Sequence, residues 1–281
     1  MKRKIDQTEM LLKFEEKMKA GEKSQATIGK YLKDAEQFLE EFGEEDEITK
    51  DRVIAYKQTL AERYAVSSAN SKLAAVNCFL RTAGCEECTV KSFKVQKNVF
   101  RARERELTRD EYVRLVKTAR SQGKQKLGML IQTLCATGIR ISELPYITVE
   151  ALYTRRAVVS LKGKTRIVLL PAKLCRELTA YVKAADIRSG SIFVTRSGKP
   201  LDRSNIFHSM KKLCDDAKVD RDKVFPHNFR HLFAVTYYKA EKDVCHLADI
   251  LGHSSINTTR GYTIVSCEEQ EQQINGLGLL I

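Results

Sequence analysis

The chain has 281 residues, with 49 Lys and Arg against 36 Asp and Glu, a formal net charge of +13. Its first residues, MKRKIDQTEM, are charged rather than apolar. No apolar run approaches the roughly 18 residues that a membrane helix needs. These features argue against a membrane protein or a secreted disulfide scaffold, and we expect a cytoplasmic protein whose eight cysteines are reduced.

The positive charge is unevenly distributed along the chain. Residues 1–100 carry 18 Lys and Arg against 17 Asp and Glu, whereas residues 101–281 carry 31 against 19. Because proteins bind nucleic acids largely by neutralising phosphates, this excess favours a nucleic-acid partner for the later part of the chain.

The first 95 residues are predicted to form a small all-helical bundle. Apolar residues recur at helical spacing over residues 24–42, and further helices are predicted at 48–64 and 67–84. Cys85 and Cys88 have zinc-like spacing, but no second Cys/His pair lies at a suitable distance. We therefore expect packed cysteines and no metal, and no pattern for another cofactor was found.

A linker and a second domain follow the bundle. Residues 96–107 are charged, show little apolar periodicity and are predicted to connect the two domains. Thr108 and Glu111 have the spacing of a capping box, so a second domain is expected at 108–281, ending in a C-terminal helical tail.

The second domain mixes helices with short strands. A buried helix is predicted to end at Thr137-Gly138. Arg140 then begins a short helix and lies three residues before Glu143, a spacing that allows an ion pair. Residues 152–155, 158–161 and 167–170 have strand-like composition, and a basic turn at 162–166 separates the last two runs. A further strand and turn are predicted between helices at 171–187 and 205–217. The predicted fold is mainly α with a small antiparallel β-sheet.

The stretch from His227 to Tyr262 carries groups suited to attack on a phosphodiester. His227 and Arg230 are three residues apart on one side of a predicted helix, and a second helix begins at Asp243 and ends at Gly252. His253 and Tyr262 follow in a polar segment. A guanidinium can grip a phosphate, imidazoles can donate hydrogen bonds or move protons, and a phenol can act as nucleophile.

The order and spacing of these residues resemble a known family. His-x-x-Arg followed by LGHSSINTTRxY is similar to the C-terminal signature of the tyrosine recombinases, the phage-integrase family. ATGIRISEL is similar to the family segment that carries the first catalytic arginine, which matches Arg140. The resemblance implies a helical core-binding domain at 1–95 and a catalytic domain at 108–281.

The resemblance also implies an activity, which is site-specific DNA recombination through a 3′-phosphotyrosyl intermediate. The implied catalytic residues are Arg140, Lys162, His227, Arg230, His253 and Tyr262. Lys162 is preferred for the hairpin lysine because it matches the family's Lys-Gly, and Lys164 remains the alternative. Expected partners are double-stranded DNA and three further copies in a tetramer on DNA, with accessory proteins left open.

Two other functions remain open at this stage. A type IB topoisomerase uses the same chemistry but rejoins the same strand, and the small helical front domain and LGHSSINTT argue against it. A non-catalytic DNA-binding regulator on the same scaffold has no need of a nucleophile, so the six candidate groups argue against that function too.

Overall fold

The computed structural model describes residues 7–41, 47–94, 106–161, 163–195, 197–262, 271–272 and 274–277, with only the backbone at residue 164. The chain divides into two units, Met1–Lys97 and Asn98–Ile281. Within the described ranges, no helix is both long and apolar enough to cross a membrane.

Among its described residues, the first unit contains four α-helices. The sequence predicted the last three of them and missed the first. The helices are α1 (Gln7–Ala20), α2 (Gln25–Glu40), α3 (Lys50–Arg63) and α4 (Val66–Thr82), followed by a 3₁₀ turn at Glu86–Cys88. Phe14, Phe38 and Phe79 are fully buried, and the ring of Phe79 meets the other two edge-on at centroid distances of 5.5 and 6.3 Å. Cys88 is buried, and Cys85 packs against the same core.

The second unit begins as the capping box predicts. Of the predicted linker, only residues 106–107 are described, and Leu107 is already buried in the core of this unit. The Thr108 side chain accepts a hydrogen bond from Glu111 N, and Glu111 Oε2 accepts one from Thr108 N. These bonds satisfy N–H groups that the first turn of α5 leaves without helical partners.

The elements of the second unit are helical apart from one hairpin in the described ranges, so the predicted fold class is confirmed. They are α5 (Arg109–Ser121), α6 (Gln125–Thr137), a 3₁₀ turn (Ile141–Tyr146), α7 (Val149–Thr154), β1 (Arg156–Leu161), β2 (Lys164–Leu169), α8 (Ala172–Ala184), α9 (Arg203–Ala217), a 3₁₀ turn (Arg221–Lys223), α10 (Pro226–Glu241), α11 (Val244–Leu251) and α12 (Ile256–Arg260).

Three local predictions were wrong. Residues 152–154 form the end of α7, and Arg155 its C-cap, rather than a strand, because Thr148 starts this helix by accepting from Ala151 N. The strand expected after α8 is reduced to isolated bridges, Thr148 with Ser191 and Val194 with Pro200. The basic turn predicted at 162–166 is shorter than expected, because β2 already begins at Lys164.

The hairpin is an antiparallel pair whose inward side faces the core. Val159 lies opposite Arg166 and Ala157 opposite Val168. Opposed residues share one face of the sheet, and Ala157, Val159 and Val168 are buried. Arg166 therefore lies on the inward face, whereas Ile167 beside it is exposed.

Gly138 ends α6 where no other residue fits without strain. Its φ is +63°, and a Cβ there would lie 2.4 Å from Cδ1 of Phe233. The glycine thus provides both the left-handed backbone and the space for α10 to pass close by.

We expect Gly138→Ala to lower the free energy of unfolding by more than Gly123→Ala does. Gly123 also has a positive φ, +67°, but nothing within 4 Å of a built Cβ. The control should lose about 1–2 kcal/mol from the left-handed backbone. Gly138→Ala should lose roughly 1–3 kcal/mol more from overpacking. Urea unfolding of the two variants measures the difference, and equal losses would show that the Phe233 contact has no energetic weight.

Candidate active site

Arg230 is the buried centre of the site. It lies on α10, is 2% exposed, and donates from Nη1 to Gly138 O at 2.6 Å and from Nη2 to Leu251 O at 2.7 Å. Both carbonyls lie at helix C-termini, those of α6 and α11. Carbonyls at such ends have no helical partner and carry partial negative charge, so two helix ends hold the guanidinium.

The partners of Arg230 keep its positive charge available. Its hydrogen-bond partners, the two carbonyl oxygens and a ring nitrogen of His253, are neutral, so they orient the guanidinium without cancelling its charge. Burial, together with the nearby charge of Arg140, lowers the pKa of Arg230 to about 10, while Tyr262 and Glu143 act in the opposite direction. The side chain therefore remains a cation at neutral pH and suits an anionic ligand.

Arg140 is the second cation, and a buried carboxylate orients it. Arg140 Nη1 lies 3.1 Å from Glu143 Oε1, and Arg140 N donates to Glu143 Oε2 at 2.7 Å. Glu143 is 2% exposed, whereas the Arg140 side chain is 43% exposed. Arg140 Nη2 also reaches Gly252 O at 3.5 Å. The ion pair considered from the sequence is therefore present, and it leaves the guanidinium accessible.

His253 lies between Arg230 and Thr259. Its Nε2 is 2.9 Å from Arg230 Nη2, and its Nδ1 is 2.8 Å from Thr259 Oγ1. An arginine N–H can only donate, so Nε2 accepts. The neutral ring then carries its proton on Nδ1 and donates it to the Thr259 hydroxyl, which is fully buried.

The surroundings of His253 keep it neutral. Burial is the largest cause, and the positive charges of Arg230, Arg140 and Arg166 add to it, lowering the pKa of His253 to about 4. The Nε2 atom of His253 therefore accepts a hydrogen bond from Arg230, whereas the sequence predicted a donor to phosphate.

Tyr262 is packed among three imidazoles. It follows α12, is 7% exposed, and stacks on His253 with ring centroids 5.9 Å apart and planes 16° apart. The His227 ring centroid is 6.4 Å away, and that of His231 only 5.2 Å in an edge-on arrangement. The phenol is thus held beside groups that can take up its proton.

The structure brings five of the six predicted residues into one neighbourhood: Arg140, His227, Arg230, His253 and Tyr262. The sixth, Lys162, lies outside the described residues. Lys164 opposes Leu161 at the start of β2, and its side chain is outside them too.

Sequence reasoning missed three neighbours of this site. His231 was not predicted as a site residue, although it lies four residues after His227, a spacing that indicates a shared helix face. No sequence pattern distinguished Thr259 from the rest of the polar segment between His253 and Tyr262. Arg166 sits two positions before buried Val168, and this alternation could have placed it on the inward face of β2.

Comparisons with known proteins agree with this geometry. The sequence model of the phage integrase family matches residues 105–269. Tyrosine recombinase XerA of Pyrococcus furiosus is 24% identical over 289 aligned residues, covering 100% of this chain and 98% of that protein. A crystal structure of XerA recombinase has a TM-score of 0.55 at 26% identity and covers 98% of this chain and 100% of that one.

A lambda integrase tetramer bound to a Holliday junction has a TM-score of 0.74 at 16% identity, covering 92% of this chain and 78% of that one. At this identity the likeness shows the fold alone. The family match takes in more than half of the chain. The chain therefore belongs to the phage integrase family. It is a tyrosine recombinase, an enzyme that cleaves and rejoins DNA, and the predicted family and activity are confirmed.

We expect acid to destabilise the protein partly through His253. Its pKa is depressed when folded, about 4 against 6.5 for the ordinary group. Between these values the unfolded chain binds a proton that the folded chain does not, so this contribution to stability is present above about pH 6.5 and is lost as pH falls towards 4.

The measurement is urea unfolding at about pH 7 and about pH 4.5 for the wild type and His253→Gln. The variant should lose less stability over this interval. His208→Gln, on the exposed side of α9, is the matched control and should behave like the wild type. Equal acid sensitivity in wild type and His253→Gln would contradict a depressed pKa.

Proposed function

We propose that this protein recombines double-stranded DNA at specific sites with Tyr262 as the nucleophile. The observation that carries the proposal is that the Tyr262 side chain lies beside buried Arg230 and stacks on His253. The phenol oxygen attacks a DNA phosphorus, and the bond from phosphorus to the 5′-oxygen breaks. The products are a 3′-phosphotyrosyl link and a free 5′-hydroxyl, which keep the energy of the phosphodiester for rejoining.

The two arginines suit the charge that develops during attack. Arg140 and Arg230 would neutralise the non-bridging oxygens, and Arg230 enters the reaction already oriented by two helix ends. Neutralisation by preorganised cations is effective because little rearrangement is needed as charge builds up.

The proton transfers are assigned to the imidazoles and a lysine. His227 is proposed to accept the Tyr262 proton, with His231 as the alternative because its ring is closer. Lys162, or alternatively Lys164, would protonate the departing 5′-oxygen. His253 becomes a donor to phosphate when its proton moves to Nε2, and the Thr259 hydroxyl permits this because it can accept from Nδ1 or donate to it.

The larger assembly is also a proposal. Residues 1–95 would act as the core-binding domain, 96–107 as the linker and 108–281 as the catalytic domain. A homotetramer on DNA is supported by the need for two duplexes with two cuts each and by the tetrameric form of the lambda integrase neighbour. We place the protein in the cytoplasm, and accessory proteins remain open.

Covalent trapping tests the nucleophile. Nicked duplexes tiled across the DNA flanking the gene are mixed with the protein without divalent metal and then denatured in SDS. Wild type should give a protein–DNA adduct, and Tyr262→Phe should give none. Tyr153→Phe changes an exposed tyrosine of the same unit, 82% exposed, and should keep the adduct. An adduct retained by Tyr262→Phe would assign the chemistry to another residue.

Arg230→Lys tests the role of the buried guanidinium. A lysine keeps the charge but lacks the fork that contacts Gly138, Leu251 and His253 together. We expect single-turnover cleavage to fall by roughly 10²–10³-fold. The control is Arg114→Lys, because Arg114 also donates to two carbonyls at a helix end, those of Ala217 and Lys218. Normal cleavage by Arg230→Lys would refute the assignment.

A further inference from the structure

We propose that Arg166 is a positioning residue of the recombination reaction, acting through Glu143 on Arg140. The proposal rests on the role of Arg140 proposed above. Arg166 lies on β2, opposite Val159, and its side chain is 16% exposed. Strand alternation therefore directs a guanidinium towards the site rather than towards solvent.

The Arg166 guanidinium joins three segments that are distant in sequence. Nη2 lies 2.7 Å from Glu143 Oε2 in the 3₁₀ turn that Arg140 caps. Nη1 donates to Ile250 O at 2.5 Å in the last turn of α11. The hairpin is thereby tied to the segments that carry Arg140 and His253.

Gly252 makes this contact geometrically feasible. A Cβ built at residue 252 would lie 2.4 Å from Cδ and 2.7 Å from Nε of Arg166. The Arg166 side chain thus lies directly against the backbone of the residue before His253. Any side chain at 252 would displace it.

Stability alone does not account for an arginine here. Its Nε is buried without a hydrogen-bond partner in the part of the chain that the structure describes. An unsatisfied buried donor costs roughly 1–3 kcal/mol, and a buried ion pair is often no more stabilising than apolar residues of similar volume. The position is therefore better explained by what its charge does to its neighbours.

The effect on Arg140 follows from how the Glu143 carboxylate is shared. Oε1 faces Arg140 Nη1, while Oε2 accepts from Arg140 N and from Arg166 Nη2. Two cations share one anion, so the cluster keeps a net positive charge. Without Arg166, the whole carboxylate charge would act on Arg140, and that guanidinium would offer less positive potential to a phosphate.

The test compares Arg166→Met with Arg140→Met on the nicked duplex that gives the Tyr262 adduct. Each protein is assayed in single turnover at saturating concentration, on ordinary DNA and on DNA with a methylphosphonate at the cleaved position. A methylphosphonate lacks one charged non-bridging oxygen, so it needs one cation fewer. DNA affinity and the free energy of unfolding are measured alongside, with Arg114→Met as the control.

On ordinary DNA, Arg166→Met should cleave about 10²-fold more slowly, because displaced catalytic groups cost about that factor. DNA affinity should change little. On one of the two methylphosphonate stereoisomers, the loss of cleavage rate should largely disappear for both Arg166→Met and Arg140→Met. Arg166→Lys, which keeps the charge without the fork, should fall between wild type and Arg166→Met, and it carries the same comparison if Arg166→Met does not fold.

Two results would overturn the proposal. One is normal cleavage of ordinary DNA by the Arg166 variants while Arg140→Met is impaired. The other is an equal loss on both substrates for the Arg166 variants while Arg140→Met is rescued, because that pattern indicates a structural role. Normal cleavage by Arg140→Met would instead refute the assigned role of Arg140, so the two failures are distinguishable.

Discussion

The structure around the candidate site of the second unit depends on keeping one cation buried without a carboxylate partner. Arg230 is held by the carbonyl ends of α6 and α11, with hydrogen bonds of 2.6 and 2.7 Å. Those helices must therefore both end at this point, and Gly138 and Gly252 end them with left-handed backbone. Dipoles orient the guanidinium and leave its charge available to an anionic ligand, whereas a carboxylate partner would have neutralised that charge.

Glu143 carries the only buried carboxylate among the described site residues. Glu143 forms ion pairs with Arg140 and Arg166, so its carboxylate orients these two guanidiniums directly and acts on Arg230 only through its charge. Burial, together with the same surplus of positive charge, keeps His253 neutral and able to accept from Arg230. The protonation of this imidazole therefore depends both on how the site is packed and on where its cations lie.

Local signals made much of this structure predictable. The caps at Thr108 and Asp243 and the helix end at Gly252 involve neighbours within a few residues, and all three are present. The strand prediction at 152–155 was wrong because the N-cap at Thr148 favours a helix more strongly than the composition of these residues favours a strand.

The residues of the candidate site were selected by type, order and spacing and by the family resemblance, but their partners could not be predicted from the sequence. The contacts of Arg230 with Gly138 and of Arg166 with Ile250 join residues 92 and 84 positions apart. Such pairings depend on how the elements pack, which periodicity within one element cannot specify.

The close contact between Arg166 and Gly252 limits the order in which these two positions can change in evolution. Shortening Arg166 while Gly252 stays creates no steric clash, because a smaller side chain at 166 leaves more space beside the glycine. A side chain at 252 can arise only after residue 166 has shortened, and even then the φ of +64° favours Asn or Asp. Substitution along a lineage therefore has a preferred direction, in which the arginine is lost first and the glycine can follow.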